Sequence, residues 1–363
     1  MQLVLDKLRS LKRFLPKPLF NLLYHEYPLE ASWQSLPIKF QRMAATIGGW
    51  YLKTFVGRNR NYQLIHNVCL TTPFRASIYH WADWSISQLG FIGRLDQQPR
   101  VIFVQACPAQ WNEFLDFFLP RIERNISFIL ISGGSDETIP DQVDQRFPDY
   151  NSIRLTKRLE QLHDDPRIIA WYVSNLDRYL PKMIPLPIGY WEGNGTSLLR
   201  ECIRVDPGTD LRRRPLRALS IHRHRDGAQW EKRKLVSDLA IKHWSAFVDS
   251  VDNIPKTLFS SRIREYSFVL CVQGGGLDPS PKAWVALLNG CIPIIEASPT
   301  ADGYIGLPVV RIERWDSDAL NIKRLSEWRE ELMPYFEDPE LRKIVLNKLS
   351  LGYWLDQIYG RQT

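Results

Sequence analysis

The chain has 363 residues, 44% hydrophobic and 12% aromatic, with a formal net charge of +7. That length supports two hydrophobic cores, and the composition excludes a disordered or collagen-like chain. Five scattered cysteines (Cys69, Cys107, Cys202, Cys271, Cys291) without a CxxC pair speak against a zinc site or a disulfide framework, so buried thiols in a reducing compartment are expected.

In chain order, residues 1–24 predict an amphipathic helix. Val4, Leu8, Leu11 and Leu15 share a face, Lys7, Arg9, Lys12 and Arg13 lie largely elsewhere, and Pro16 and Pro18 end it. Such a helix either docks on the domain or attaches weakly to an anionic membrane surface. No stretch approaches the roughly 20 apolar residues of a membrane span, and no signal-peptide pattern opens the chain. The expected location is cytoplasmic, peripheral at the inner face of a membrane if the helix binds lipid. Residues 25–97 are aromatic-rich without clear periodicity.

A regular rhythm begins at Arg100. Strands are expected over Val101–Gln105, Ser127–Ser132, Ile168–Val173 and Met183–Ile188, with helices over Trp111–Ile122 and Arg154–His163. Strands alternating with helices predict a parallel, doubly wound sheet, whose ligands lie beyond the carboxyl ends of the strands. Ser132–Glu137, Ser174–Asn175 and Gly189–Trp191 then form the working rim. Pro207-Gly208 and the arginines up to Pro215 read as a linker. Beyond it come a strand at Leu219–His222, a helix at Trp230–Ile241, a strand at Pro308–Ile312, and helices over 326–336 and 339–358. The expected organisation is 1–24 helix, 25–207 acceptor-side α/β domain, 208–215 linker, 216–335 nucleotide-binding α/β domain and 336–363 C-terminal helices.

Charge is concentrated. Residues 211–234 hold nine Lys or Arg (Arg212, Arg213, Arg214, Arg217, Arg223, Arg225, Lys232, Arg233, Lys234) against Asp226 and Glu231, which equals the whole excess of the chain. A localised anionic partner is implied. A solvated basic loop is the plain alternative.

Tyr266–Glu296 carries the most chemistry. Tyr266–Val272 is an apolar run and reads as a strand, and Gly274, Gly275, Gly276, Asp278, Ser280 and Pro281 follow. Ser280 is expected to cap a helix that Pro281 starts and Gly290 stops. Cys291–Ile295 is a second buried strand. A glycine loop at a helix N-terminus suits a phosphate, although three glycines also suit a tight turn.

Phe268, Leu270, Gly274, Gly276, Asp278, Lys282, Trp284, Ala286, Leu287, Gly290, Cys291, Ile292, Pro293 and Ile294 resemble the nucleotide-sugar segment of exostosin-type glycosyltransferases (glycosyltransferase family 47-like). Phe128–Asp136 and Trp171–Gly189 resemble the same relatives. Val285 stands where that family has the glutamate that meets the ribose, and Gln273 where it has a basic residue. The resemblance implies an α/β, GT-B-type fold of two Rossmann-like, doubly wound domains facing a cleft. It implies a transferase, inverting, moving a sugar from a nucleotide-sugar donor to a glycan or lipid-linked acceptor.

Such transfer needs a stabilised diphosphate leaving group, a base for the acceptor hydroxyl and a dry site. Donor contacts are expected from Arg223, Arg225, Gly274–Gly276, Asp278, Ser280 and Lys282, with Glu296 or Asp302 taking the ribose or base and Trp315 and Asp316 as further options. For the base, Asp136 leads, behind two glycines at a strand end, with Glu137, His80 and Asp83 as alternatives. Asp136 as a turn cap, and the YHWADW aromatics as core packing, are equally open. No DxD is clearly flanked by a strand, so neither metal nor other cofactor is expected, and no nucleic acid. The rival readings are a degenerate module that binds nucleotide or glycan without turnover, and a protein that binds nucleic acid or membrane through the 211–234 cluster.

Overall fold

The computed structural model describes residues 82–144, 153–190, 210–224, 226–251, 254 and 256–360. The expected helix over 1–24, His80, Trp191 and Arg225 lie outside them.

Two sheets organise the chain. The first contains β1 (Trp84–Ser87), β2 (Gly90–Ile92), β3 (Val101–Gln105), β4 (Phe128–Gly133), β5 (Ile168–Val173) and β6 (Met183–Pro185), in the order β2-β1-β3-β4-β5-β6. Its neighbours are parallel except for the β1–β2 hairpin. The second contains β7 (Ala218–Ile221), β8 (Val248–Val251), β9 (Phe268–Leu270), β10 (Ile292–Glu296) and β11 (Val310–Ile312), in the order β11-β10-β9-β7-β8, parallel throughout. This is the expected α/β architecture of two parallel-dominated sheets with helices.

Helices connect the strands: α1 (Pro108–Glu113, extended by a π turn over Phe114–Phe118), α2 (Ile153–Leu162), α3 (Glu231–Lys242), α4 (Lys256–Ile263) and α5 (Lys282–Leu288). Then come α6 (Ile322–Leu332), α7 (Pro334–Glu337), α8 (Pro339–Lys348) and α9 (Leu351–Tyr359). Side chains alternate across a strand, and the two faces of the first sheet feed two cores. Ile102, Val104, Leu130 and Trp171 pack with Trp111, Phe114 and Leu159. Val101, Phe103, Ile129, Ile131 and Tyr172 join the core that contains the second sheet. Strands buried on both faces read as continuous apolar runs, which is why β3 and β5 fall where the sequence puts them.

Elsewhere the structure departs from the sequence reading. The hairpin β1–β2 lies in the stretch without periodicity, because the strand WSIS buries its two serines as fully as its apolar residues. The edge strand β8 (VDSV) and α4 also lack a sequence signal. The helix expected over 339–358 breaks at Ser350, whose Oγ accepts from Tyr353 N–H at 3.2 Å and caps α9. Helix α9 then returns to the first sheet, where the Tyr172 hydroxyl donates to the Gln357 carbonyl at 2.7 Å.

The 211–234 basic run is not one patch. Strand β7 runs through it and carries its two ends about 13 Å apart. Arg214 and Arg217 lie at the amino edge, donating to the carbonyls of Tyr266 and Asn289 and to Asp249. Residues from Arg223 onward follow the carboxyl edge.

Trp284 of α5 is fully buried, donates to the Leu349 carbonyl at 3.1 Å and meets Tyr304 edge-on at 5.8 Å between centroids. Trp284→Ala is expected to lower unfolding stability by about 3–5 kcal/mol, read as a shifted denaturant midpoint at unchanged slope.

Candidate functional site

The carboxyl edges of the two sheets meet through a reciprocal exchange of hydrogen bonds. Asn175, just after β5, accepts through Oδ1 from the N–H groups of Leu277 and Asp278, both at 3.0 Å, and donates through Nδ2 to the Ser135 carbonyl at 3.0 Å. Asp278 answers from the other side, accepting from the Ile188 N–H at 2.9 Å. It also accepts from the Ser280 N–H at 2.9 Å and the Tyr304 hydroxyl at 3.2 Å. Burial pushes the Asp278 carboxyl up to about 6, while the three donors pull the other way. Thr300 and Tyr179 extend the seam, to the Leu176 carbonyl at 2.9 Å and to Asp302 at 2.7 Å.

The glycine loop lies against this seam. A Cβ on Gly276 would fall 2.4–2.6 Å from the Asn175 amide, and one on Gly274 would fall 2.6 Å from the Arg233 guanidinium. The loop therefore admits two polar side chains onto its backbone, a use of glycine that the sequence leaves undecided. The expected helix-start site is different from the observed one. Ser280 has φ +84°, a left-handed backbone, and helix α5 starts at Lys282 with Pro281 preceding it. The Ser280 Oγ reaches the Lys282 N–H only at 3.4 Å. The N–H groups of Leu277, Asp278, Ser280 and Lys282 all have partners within the protein. Among the described residues none is recorded for the N–H groups of Gly274, Gly275 and Gly276. Gly290 ends the helix at φ +68°, as expected.

Cations collect beside the loop. Lys282 is half-buried, with Nζ donating to the Ile221 carbonyl at 2.7 Å and lying 2.8 Å from His222 Nδ1. Burial pulls Lys282 down to about 7, and the Arg233 guanidinium adds to that. Burial, Lys282, Arg233 and His224 together hold His222 well below its ordinary value. Arg233 donates to the Gln273 carbonyl at 3.0 Å and stacks over Trp230. Lys232 bridges the Gln273 side chain, at 2.8 Å, and Glu296 at the end of β10. Val285 is buried in the core.

Across the seam, Asp136 and Glu137 follow Ser135, whose carbonyl Asn175 holds. Asp136 is exposed and Glu137 is buried beside Cys107. The structure thus brings together Asp136, Glu137, Gly274–Gly276, Asp278, Ser280, Lys282, Glu296 and the backbone of Arg223, whose carbonyl accepts from Arg233 at 3.4 Å. It does not bring Asp83, which precedes β1 at the opposite edge and accepts from the Arg100 and Val101 N–H groups at 2.9 and 3.0 Å. Trp315 packs on Trp244, and Asp316 pairs with Arg314. Sequence reasoning places Asn175 on the rim and Arg233 in the basic run. It misses His222 and Tyr304, whose roles arise from contacts 60 and 26 residues away. Among the described residues no three His, Cys, Asp or Glu side chains stand together as a metal site, and no helix is long and apolar enough to cross a membrane.

No protein-family description matches the chain, and no curated protein matches it. Among the solved structures similar to it is a crystal structure of an alpha1,3-fucosyltransferase, 12% identical, covering 75% of this chain and 79% of the other at a TM-score of 0.30. A likeness of that degree assigns neither family nor reaction.

Two outcomes test the seam. Asn175→Ala strands two N–H groups and is expected to cost about 1–3 kcal/mol for each one left buried and unsatisfied, while Gly276→Ala is expected to cost about 1–3 kcal/mol by overpacking. Because the added methyl collides with Asn175, the double variant is expected to lose less than the sum of the two, measured by a chemical-denaturation cycle. Asp278 has a raised folded-state value. Its contribution to stability is thus fully present below about pH 4 and is lost as pH rises through about 6. Relative to wild type, Asp278→Asn is expected to gain up to about 3 kcal/mol between pH 4 and pH 7, read from denaturation at each pH.

Proposed function

We propose that the chain is a glycosyltransferase that moves a sugar from a nucleotide-sugar donor to a glycan or lipid-linked acceptor by an inverting, metal-independent route. The observation that carries this reading is the convergence of Lys282 and Arg233 on the Gly274–Gly276 loop, with the Asp136–Glu137 loop held opposite by Asn175. The exostosin-like residues of 266–296 support it.

In this reading the diphosphate leaving group sits over the glycine loop. Lys282 and Arg233 supply charge, Gly274–Gly276 supply N–H donors, and Arg223 and Arg225 are further contacts to the diphosphate. Positive charge placed where the leaving oxygen becomes anionic lowers the barrier most in a site that excludes water. Glu296, steadied by Lys232, takes the ribose in place of the glutamate that Val285 replaces. Asp136 removes the proton from the acceptor hydroxyl as the bond to the sugar forms on the face opposite the leaving group. Glu137 is the alternative base. The basic face, with residues 1–24, is the candidate contact for an anionic membrane carrying a lipid-linked acceptor.

One observation favours the second reading, a module that binds without turnover. The N–H groups that begin α5 already have protein partners, which leaves the phosphates to side chains and the glycine backbone.

A thermal-shift panel of nucleoside diphosphates is expected to find a ligand that stabilises the fold by about 2.7 kcal/mol at 100 times its Kd. Lys282→Ala is expected to weaken that ligand about tenfold, or 1.4 kcal/mol. Stabilisation by none of the nucleotides would sink the donor-site reading, and binding without release of nucleotide from any nucleotide sugar would select the module.

A further inference from the structure

Lys282 and His222 are two basic groups whose nitrogens lie 2.8 Å apart, at the end of β7 and the start of α5. A lysine Nζ and an imidazole Nδ1 at that distance share one hydrogen, so both side chains cannot carry their full complement of protons. Nζ also donates to the Ile221 carbonyl, and the tautomer of the ring decides whether Nζ or Nδ1 donates the shared hydrogen. His222 is 2% exposed, and its Nε2 has no hydrogen-bond partner among the described residues.

The surroundings disfavour charge on this pair. Arg233 from α3 and His224 from the loop after β7 oppose charge on it, while Cys271, just past the end of β9, acts the other way on Lys282. The carboxylate of Asp278 acts on Cys271 and is itself bound to Ile188, Ser280 and Tyr304. Among the described residues no carboxylate bonds to Lys282 or His222. An arriving phosphate reverses that balance, because an adjacent anion favours the charged form of an amine.

We propose that capture of a diphosphate at this rim is coupled to the uptake of one proton by the Lys282–His222 pair, so that the pair is uncharged in the empty site and becomes cationic around its ligand. The inference rests on the donor-site reading above and adds to it a proton-linked mechanism of capture. No covalent bond changes: a solvent proton joins the Lys282 amine, and the resulting ammonium faces the ligand's oxygens. The arrangement avoids a permanent buried cation beside Arg233 in the empty site, and it weights the site toward ligands with enough negative charge to draw the proton in. The lowered value to which burial brings Lys282, about 7, puts the change in the range of neutral pH.

The test is titration calorimetry on the full chain, with the nucleoside diphosphate that stabilises it most in the thermal-shift panel. At pH 8 the terminal phosphate is already ionised, its last ionisation falling near about pH 6, so proton uptake reports on the protein. Repeating the titration in buffers of different protonation enthalpy is expected to show close to one proton taken up per ligand. The Kd is expected to rise toward about tenfold per pH unit above pH 8. Lys282→Arg is charged at every accessible pH and is expected to bind without proton uptake and with a flat Kd. His222→Asn offers Lys282 a neutral amide in place of the ring and is expected to take up less than the wild type, a second readout if the arginine disturbs folding. Binding by the wild type with no proton uptake and a flat Kd overturns this inference and leaves the donor site standing. No binding by any nucleoside diphosphate overturns both.

Discussion

The exchange of hydrogen bonds between Asn175 and Asp278 is the constraint on which the site depends. Each residue stands on one half of the molecule and binds backbone N–H groups of the other. Neither is replaceable by an apolar group of similar size without leaving buried donors unsatisfied. The exchange fixes where the glycine loop sits relative to the Ser135–Glu137 loop. It also explains two unusual backbones, since Asn175 at φ +57° and Ser280 at φ +84° flank the same seam. Left-handed conformations of non-glycine residues persist where surrounding bonds over-determine them, and here the bonds are those of the seam itself.

The same constraint decides how an anion is to be held. A glycine loop leading into a helix normally offers free N–H groups and the helix dipole. In this chain the N–H groups of Leu277 and Asp278 are committed to joining the halves, and those of Ser280 and Lys282 to local bonds with Asp278 and Ser280. The helix that follows has only seven residues. Attraction for phosphate therefore falls to side chains, and the two nearest, Lys282 and Arg233, lie in a partly closed place where a charge acts more strongly than in water. The device is a cationic floor approached through glycines, and its strength varies with the protonation of one lysine.

Much of the fold is legible in the sequence, and the reason is specific. Strands β3 and β5 are buried on both faces and appear as unbroken apolar runs, and Gly290 marks the end of α5 because a left-handed residue is needed there. Strands β1 and β8 are illegible because polar residues make up half of each, two serines in β1 and the adjacent Asp249 and Ser250 in β8. In β1 the serines are buried, and in β8 Asp249 pairs with Arg217 at an edge. Of the site, the glycine loop, Lys282 and the Ser135–Glu137 loop are marked by residue type. Asp83 has the right chemistry at the wrong end of a strand, which one-dimensional reading does not resolve without a secure β1. The 211–234 charge run misleads for a related reason: four residues of strand separate neighbours in sequence by the thickness of the sheet.

His222 shows the limit most sharply. In the sequence it is one of several histidines at the end of a short apolar run, beside arginines that draw more notice. Its importance comes from Lys282, 60 residues away, whose side-chain nitrogen has a carbonyl and this ring as its partners among the described residues. A lysine at the same place with a carboxylate partner would remain charged whether or not a ligand was present, and the ligand would have to displace that carboxylate. A lysine bonded to an imidazole has no anion to displace and no full charge to desolvate in the empty site. In the proposed donor site the choice of partner, more than the presence of the cation, would set the response to an incoming phosphate.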